Sequence, residues 1–417
     1  MFVINDRLKK NFLTLSMVAA AVTIPLFNNL NSILTIIFVF AAALQTPVRD
    51  SLHRLRKNKF WMIPFIYFLW LICTWFWDTS GGFTIKQVER YAGLAFIPLG
   101  MAIAPPFSRR QLKTTCLAFS AATILICLIC LLKSYLEYQQ TRDYRVFYYH
   151  YLSEQMHLNA IFLSNYCLAS IFWLLYFGLI LRNSMAIALR ILIICAVIFL
   201  AFLILLLSSK MVIVLGVVAI IFSLIYFGYQ KGYLVASITA TVLIILGGFF
   251  AVRNLSYLKY RLSVVELKEY QGQADDQNGL AIRLLMWKSG LHLIRERPIL
   301  GYGLKGGREA TLMEYKKRGY EMGYVRKWHT HNQYIETTLM SGIPGLVLLL
   351  TIIGVILVAA LRTGSYLLLL GILHFTFHAM IEAVFEVQQE LIFFTFFLFL
   401  FYYHQPGRTI KTTRTDG

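Results

Sequence analysis

Two histidines one residue apart lie in the most chemically reactive segment of the sequence, Trp328-His-Thr-His-Asn-Gln-Tyr334. Imidazole changes charge near neutral pH, so either His329 or His331 could act as a general base, and the same spacing could supply two metal ligands. No cysteine, aspartate or third histidine follows at ligand spacing, which favours proton transfer over a metal site. Two ordinary polar loop histidines remain the alternative.

A glycine-rich segment precedes them. Gly301-Tyr-Gly-Leu-Lys-Gly306 matches the formal G-x-G-x-x-G pattern of dinucleotide-binding loops. It follows a predicted helix and Pro298 rather than a strand, which excludes the dinucleotide interpretation. We expect these glycines to form a turn that redirects the chain. Backbone N–H groups that approach a phosphate are the alternative.

A basic amphipathic helix is predicted before this turn. Asn278 can cap a helix that begins near Gly279. The apolar residues that recur on one face are Leu280, Leu284, Trp287, Leu291 and Ile294. Arg283 and Lys288 lie on the rest of its surface, so we expect the helix to lie on a membrane or a helical bundle, with its basic side chains toward lipid headgroups.

The composition places these motifs in a membrane protein. Hydrophobic residues make up 58% of the 417 residues and charged residues 14%, which is too apolar for a water-facing surface. The long apolar segments lack strict alternation and therefore predict an all-α integral membrane protein with about twelve transmembrane helices. The predicted spans are 12–27, 32–47, 60–77, 91–106, 114–133, 159–181, 191–208, 211–228, 234–251, 342–361, 366–383 and 390–404.

The spans divide the chain into three parts. Residues 1–251 hold helices 1–9, residues 252–341 form one large loop that carries the motifs, and residues 342–417 hold helices 10–12 and a tail. Basic residues of the short loops concentrate on the side of the two termini, which the positive-inside rule places in the cytoplasm. The large loop is therefore expected on the outer side.

The net charge indicates the class of binding partner, and the positions of the cysteines indicate which covalent or metal sites to expect. A net charge of +19 that alternates with apolar spans favours phosphate groups on lipids or lipid-linked substrates over nucleic acid. The six cysteines fall in or beside apolar spans, so neither a disulfide framework nor a zinc site is predicted. We expect no cofactor and no metal.

Two further polar features interrupt the apolar spans. Lys210 lies between two spans with almost no loop, where an ammonium is costly unless it extends toward water or meets an anion. Polar residues also recur every four positions along the predicted eleventh span, at His374, His378, Glu382 and Glu386. We expect this stripe to face protein or water as a structural network that borders a cavity.

The segment from Arg283 to Gly303, followed by His331 with ten residues between it and Gly342, resembles the outer loop of the O-antigen ligase and O-antigen polymerase superfamily. The resemblance covers about 200–360. Twelve spans with a single large loop between the ninth and the tenth are similar to the ligase branch.

This resemblance implies metal-independent transfer of a glycan from undecaprenyl diphosphate to an acceptor hydroxyl at the periplasmic face of the bacterial inner membrane. It implies that His331 activates the acceptor, and that Arg283 and Lys210, which stands where the family has an arginine, hold the diphosphate. These three are the predicted catalytic residues. The predicted substrate contacts are Lys210, Arg283, Lys288, His329 and Asn332.

The spacing distinguishes the two histidines. Only His331 has ten residues between it and Gly342. If residues 331–341 are helical, side chains two positions apart point in different directions, so only one of His329 and His331 can face the donor.

Four reactions or activities fit the pattern. The favoured one is inverting ligation of a polysaccharide to a core sugar of lipid A. An O-antigen polymerase would use a second lipid-linked chain as acceptor and often has two sizeable outer loops, whereas only 252–341 is large here. A protein O-oligosaccharyltransferase is the third enzyme. A lipid-linked glycan flippase or transporter would share the spans and the charge without needing Arg283 and His331.

Overall fold

The computed structural model describes residues 6–26, 28–82, 85–180, 186–207, 209–254 and 279–404. Within these ranges the chain is helical and has no strand, which confirms the predicted all-α fold class. The α-helices are α1 (Asp6–Thr23), α2 (Asn28–Ala43), α3 (Val48–Lys57), α4 (Met62–Cys73), α5 (Ile85–Ile103), α6 (Arg109–Thr141), α7 (Tyr149–Glu154), α8 (Ala160–Leu174), α9 (Ile187–Leu207), α10 (Lys210–Lys231), α11 (Leu234–Asn254), α12 (Gly279–Glu296), α13 (Gly306–Lys317), α14 (Glu321–Val325), α15 (Gln333–Thr363), α16 (Tyr366–Ala379) and α17 (Gln388–Tyr403).

Many of these helices are apolar enough for a membrane. Among the described residues, six helical segments have the length and composition to cross it, and the bent pair Leu30–Ala43 and Val48–Lys57 adds a seventh if it is one span. The six are Lys59–Trp77, Arg109–Thr141, Ala160–Gly178, Ile187–Leu207, Lys210–Lys231 and Gln333–Thr363. The chain is thus an integral membrane protein. A helix lies at each of the twelve predicted spans, and the number that cross the membrane stays a prediction.

Helix α17 lies in the core of the bundle. Its residues from Gln389 to Tyr402 are all buried, as expected for a helix that is apolar around its whole circumference. Phe393 and Phe397 pack against aromatic rings of α6 and α8, with centroids 4.3 to 6.3 Å apart. The connection that enters α17 from α16 is therefore anchored at a fixed place on the bundle.

Helix α15 is broken near its start. Gly342 has φ 67° and ψ −170°, outside the helical region, and Pro344 has no N–H to continue the helical hydrogen bonds. The helical segment begins at Gln333, and Gly342 separates its first part from the part that covers the predicted tenth span, so where that span begins stays a prediction. Gly342 is an internal break.

The glycine turn donates hydrogen bonds to carbonyl groups that this break leaves without helical partners. The break interrupts helical bonding at the carbonyl groups of Leu339 and Met340, and two successive N–H groups of the turn 301–306 donate to them over 2.8 and 3.0 Å. The N–H of Ile343 donates to the carbonyl of Pro298 over 2.9 Å. Gly301–Gly306 is thus a turn that redirects the chain, as predicted, and it is tied to the first part of α15.

Replacing Gly342 with alanine is expected to destabilise the protein by about 1–3 kcal/mol or more, measured as a lower thermal midpoint. A Cβ at this position would lie 1.9 Å from the carbonyl oxygen of Ile299, and the positive φ strains any L side chain. Gly354→Ala in the same helix is the matched control, because nothing lies within 4 Å of its added Cβ. Equal midpoints for the two variants would contradict this packing role.

Residues 279–332, which we call the 279–332 segment, pack against the ends of α4, α15 and α16. Asp78, which follows α4, accepts hydrogen bonds from the backbone N–H groups of Lys305 (2.8 Å) and Gly306 (3.2 Å). A phosphate bound by the glycine turn would need these same N–H groups. The carboxylate of Asp78 already occupies the position that the alternative interpretation gave to the phosphate. The predicted cap Asn278 lies outside the described residues.

Candidate active site

The turn that carries the two histidines is held by the start of α15. Asn332 caps this helix, because its Oδ1 accepts two N–H groups of the first turn at 3.0 and 3.1 Å, and its Nδ2 donates to the carbonyl of Met380. The buried carboxylate of Glu336 accepts from the N–H (3.1 Å) and the hydroxyl (2.7 Å) of Thr330. The structure gives Asn332 a capping role, and its predicted substrate contact stays a prediction.

Both histidines of this turn contact one carboxylate. Nδ1 of His331 lies 3.0 and 3.1 Å from the two carboxylate oxygens of Glu382, and Nε2 of His329 lies 3.3 Å from one of them. We call these three residues the histidine–glutamate cluster.

The backbone explains why the two rings converge. His331 precedes α15 and has φ 49°, so residues 331–341 are not one continuous helix. The two rings lie 4.2 Å apart, centroid to centroid, with the same carboxylate as partner. The prediction that His329 and His331 point in different directions was therefore wrong.

Burial and charge set the protonation of this cluster. Burial lowers the pKa of His329 to about 3, so its imidazole is neutral near pH 7. Burial alone would raise the pKa of Glu382, but the neighbouring His331 and His329 outweigh it and hold the pKa of this carboxyl well below its usual range. Glu382 is therefore ionised.

Arg283 approaches the cluster from α12. Its charge acts on both His329 and Glu382, and its side chain is partly exposed. Lys288 is exposed and lies five positions further along, which is about 140° around a helix of 3.6 residues per turn. The structure thus brings Arg283 to the histidines and leaves Lys288 on a different face of α12.

Comparison with known proteins identifies the segment that holds these residues. Residues 194–350 match the O-antigen ligase family. This match supports the O-antigen ligase superfamily for this part of the chain. The match includes Lys210, Arg283 and His331, the three predicted catalytic residues, and agrees with the predicted resemblance over about 200–360.

A second comparison finds an uncharacterized protein of Haemophilus influenzae. It is 27% identical over 95 residues, which are 23% of this chain and 24% of that protein. The chain thus spans about a quarter of the length of the relative that it matches.

Lys210, the other cation that is predicted to be catalytic, is exposed and begins α10. Ser223 of α10 hydrogen-bonds Tyr366 at the start of α16 (2.9 Å), whereas Ala219, earlier in α10, lines a cavity with Gly371, later in α16. The two helices are therefore antiparallel. Lys210 lies about 20 Å along α10 from the Ser223 contact, toward the end of α16 that leads into the histidine–glutamate cluster.

The sequence motifs missed a second ionic group beside the cluster. Glu386 accepts a hydrogen bond from Nη1 of Arg90 at 3.0 Å, and Nη1 of Arg308 lies 3.8 Å from the same oxygen. Arg308 also donates to the carbonyl of Lys327, and its charge acts on His329. Arg90 and Arg308 are partly exposed, so the site holds more positive charge than the motifs predicted.

The predicted polar stripe is not one face of a single helix. Helix α16 ends at Ala379, so Glu382 lies in the following turn and Glu386 in a short 3₁₀ helix, Val384–Glu386. The expectation that all four polar residues run down one span was wrong. The break separates the buried His378 and the partly buried His374 from two carboxylates that face the 279–332 segment.

The cluster also has the geometry of a metal site, because one ligand atom each from His329, His331 and Glu382 lies within 4.8 Å of the others. A metal site was disfavoured because no third ligand lies close by in the sequence. The fold supplies a third ligand, Glu382, from a distant turn, so the missing ligand no longer counts against a metal. Metal independence stays a prediction that chelation can test.

Proposed function

We propose that this O-antigen ligase-type membrane enzyme transfers a polysaccharide from undecaprenyl diphosphate to a sugar hydroxyl of the lipid A core. The observation that carries the proposal is that His331 and Arg283, inside the segment that matches the O-antigen ligase family, meet the ionised carboxylate of Glu382, which follows that segment in the sequence. The site is proposed to face the periplasm from the bacterial inner membrane. The proposed partners are the lipid-linked glycan, the lipid A core acceptor and membrane lipids.

The proposed reaction is a direct displacement. The acceptor oxygen bonds to the anomeric carbon as its proton passes to His331, and the bond from that carbon to the diphosphate oxygen breaks. Attack from the face opposite the diphosphate inverts the anomeric configuration. A positioned base typically contributes about 10² to 10⁴ in rate, because a sugar hydroxyl is a weak nucleophile.

The proposed role of the cations is to stabilise the diphosphate as it leaves. Negative charge develops on the diphosphate as it leaves, and cations fixed in a site with little water stabilise that charge more than they would in solution. We propose that Arg283 and Lys210 make these contacts. The sugar arrives already activated, so no nucleotide or other cofactor is needed.

The acceptor distinguishes the ligase from its rivals. We propose to delete the gene and separate surface and lipid-linked polysaccharides by gel electrophoresis. Loss of all long chains from lipid A, with lipid-linked polymer retained, is expected for the ligase. Attachment of single repeats would identify a polymerase, and loss of glycan from a protein would identify a protein O-oligosaccharyltransferase.

A flippase or transporter is the alternative from a different class. It would move the lipid-linked glycan without breaking the glycosidic bond to diphosphate, and would need no base. Purified protein in liposomes, with donor and acceptor on the same face, tests this point. Formation of the glycan–core product there contradicts the transporter, whereas donor movement without product contradicts the proposed enzyme.

Lys210→Met is expected to lower transfer by about 10- to 100-fold, because a charge-assisted contact to phosphate contributes about 1.5–3 kcal/mol. Lys210→Arg keeps the charge and should retain most activity. Lys231→Met is the matched control, since Lys231 is an exposed lysine at the opposite end of the same helix. Wild-type transfer by Lys210→Met would show that this ammonium only extends toward water.

A further inference from the structure

Glu382 is the most buried member of the histidine–glutamate cluster, with a side chain 3% exposed. Its Oε1 faces His331 Nδ1 (3.0 Å), His329 Nε2 (3.3 Å) and the backbone N–H of Ala383 (3.2 Å). Its Oε2 lies 3.1 Å from the same nitrogen of His331. An ionised carboxylate only accepts hydrogen bonds, so Nδ1 of His331, which hydrogen-bonds it, must carry a proton.

The tautomer of His329 follows from a second contact. The backbone N–H of His331 donates to Nδ1 of His329 over 3.1 Å, so Nδ1 of this neutral ring is the acceptor. Its proton is then on Nε2, which faces Glu382. His329 thus uses both ring nitrogens within the cluster.

The tautomer of His331 follows from Glu382. Nδ1 of His331 faces both carboxylate oxygens and must carry the proton in the neutral ring, which leaves Nε2 with a free lone pair. A histidine with its other nitrogen bonded to a buried carboxylate is held in one tautomer and one orientation. The nitrogen that could take a proton from an acceptor is therefore Nε2.

We propose that Glu382 is a positioning residue for the base: it holds His331 in the Nδ1–H tautomer, aims Nε2 at the acceptor hydroxyl and stabilises the imidazolium that forms when Nε2 takes the proton. This inference rests on the proposed function and adds a residue that lies outside the segment matching the O-antigen ligase family. His329 supports the carboxylate from its other side.

The test uses Glu382→Gln in the full-length protein reconstituted in liposomes. Glutamine keeps the volume of the side chain but removes the charge, so kcat is expected to fall about 10- to 100-fold while KM for the lipid-linked donor stays within about two-fold. Glu382→Asp keeps the charge and should recover part of the rate. Glu309→Gln, an exposed glutamate paired with Lys305, is the matched control and should match the wild type.

A double variant separates positioning from general structural support. If Glu382 acts through His331, adding Glu382→Gln to His331→Ala should lower the remaining rate by less than about two-fold. A structural role would lower it by the same factor in both backgrounds, which would overturn the inference. Unchanged kcat in Glu382→Gln would also overturn it.

Two outcomes keep this inference distinct from the proposed function. If His331→Ala loses transfer while Glu382→Gln does not, the base survives and the positioning role fails. If EDTA stops the wild-type reaction and zinc restores it, the three residues are metal ligands instead, and the hydrogen-bonded arrangement is overturned. Failure of the wild-type protein to form product contradicts the proposed function itself.

Discussion

Replacing His331 with alanine is expected to lower glycan transfer by about 10² to 10⁴, the usual contribution of a positioned general base. Nδ1 of His331 is engaged by Glu382, so the opposite nitrogen is the one available to the acceptor hydroxyl. Alanine removes that nitrogen and leaves the carboxylate in place. Rates measured in liposomes with saturating donor and acceptor should show the loss in kcat.

His329→Ala is the matched comparison for this prediction. His329 uses both of its ring nitrogens inside the cluster, to Glu382 and to the backbone of His331, so its loss should loosen the site with a milder effect on kcat. Donor binding and expression should be unchanged in both variants. If His331→Ala kept most of its transfer, or His329→Ala were the more damaging change, the base assignment would be wrong.

The helices could be predicted because their cause is local. A long apolar segment must satisfy its own backbone in a membrane, so each span can be recognised without knowledge of its neighbours. The break in α15 is different. Gly342 and Pro344 are visible in the sequence, but the helix continues past them because N–H groups of the glycine turn replace the interrupted hydrogen bonds. That compensation comes from a distant part of the chain.

The residues of the candidate site also fall into two groups: those that a local sequence pattern predicts and those that only the fold brings together. Arg283 and His331 could be found from a local pattern that resembles a known family. Glu382 could not, because its role depends on α16 ending at Ala379 and on a turn that brings the carboxylate to a histidine 51 residues earlier. The four-residue spacing assumed a continuous helix and therefore gave Glu382 only a structural role. Arg308 has no local signal and is identified by its contacts near Glu386 and His329.

The second large effect is expected at Arg283, which we propose binds the diphosphate of the donor. Arg283→Ala is expected to reduce transfer by about 10- to 100-fold, from the loss of a charge-assisted contact to diphosphate, and by more if the contact tightens as the diphosphate leaves. The charge of the guanidinium acts on His329 and Glu382, so it can stabilise a leaving group that lies beside the base.

The planar guanidinium distinguishes this contact from a general effect of positive charge. Arg283→Lys keeps the charge but loses the two-pronged hydrogen bonding to phosphate oxygens, so it should recover only part of the rate. Lys288→Ala removes a cation from the exposed opposite face of the same helix and should leave transfer within about two-fold of the wild type. Equal losses in Arg283→Ala and Lys288→Ala would mean that these two cations only attract α12 to anionic lipid. The diphosphate contact would then have to be sought at Arg308.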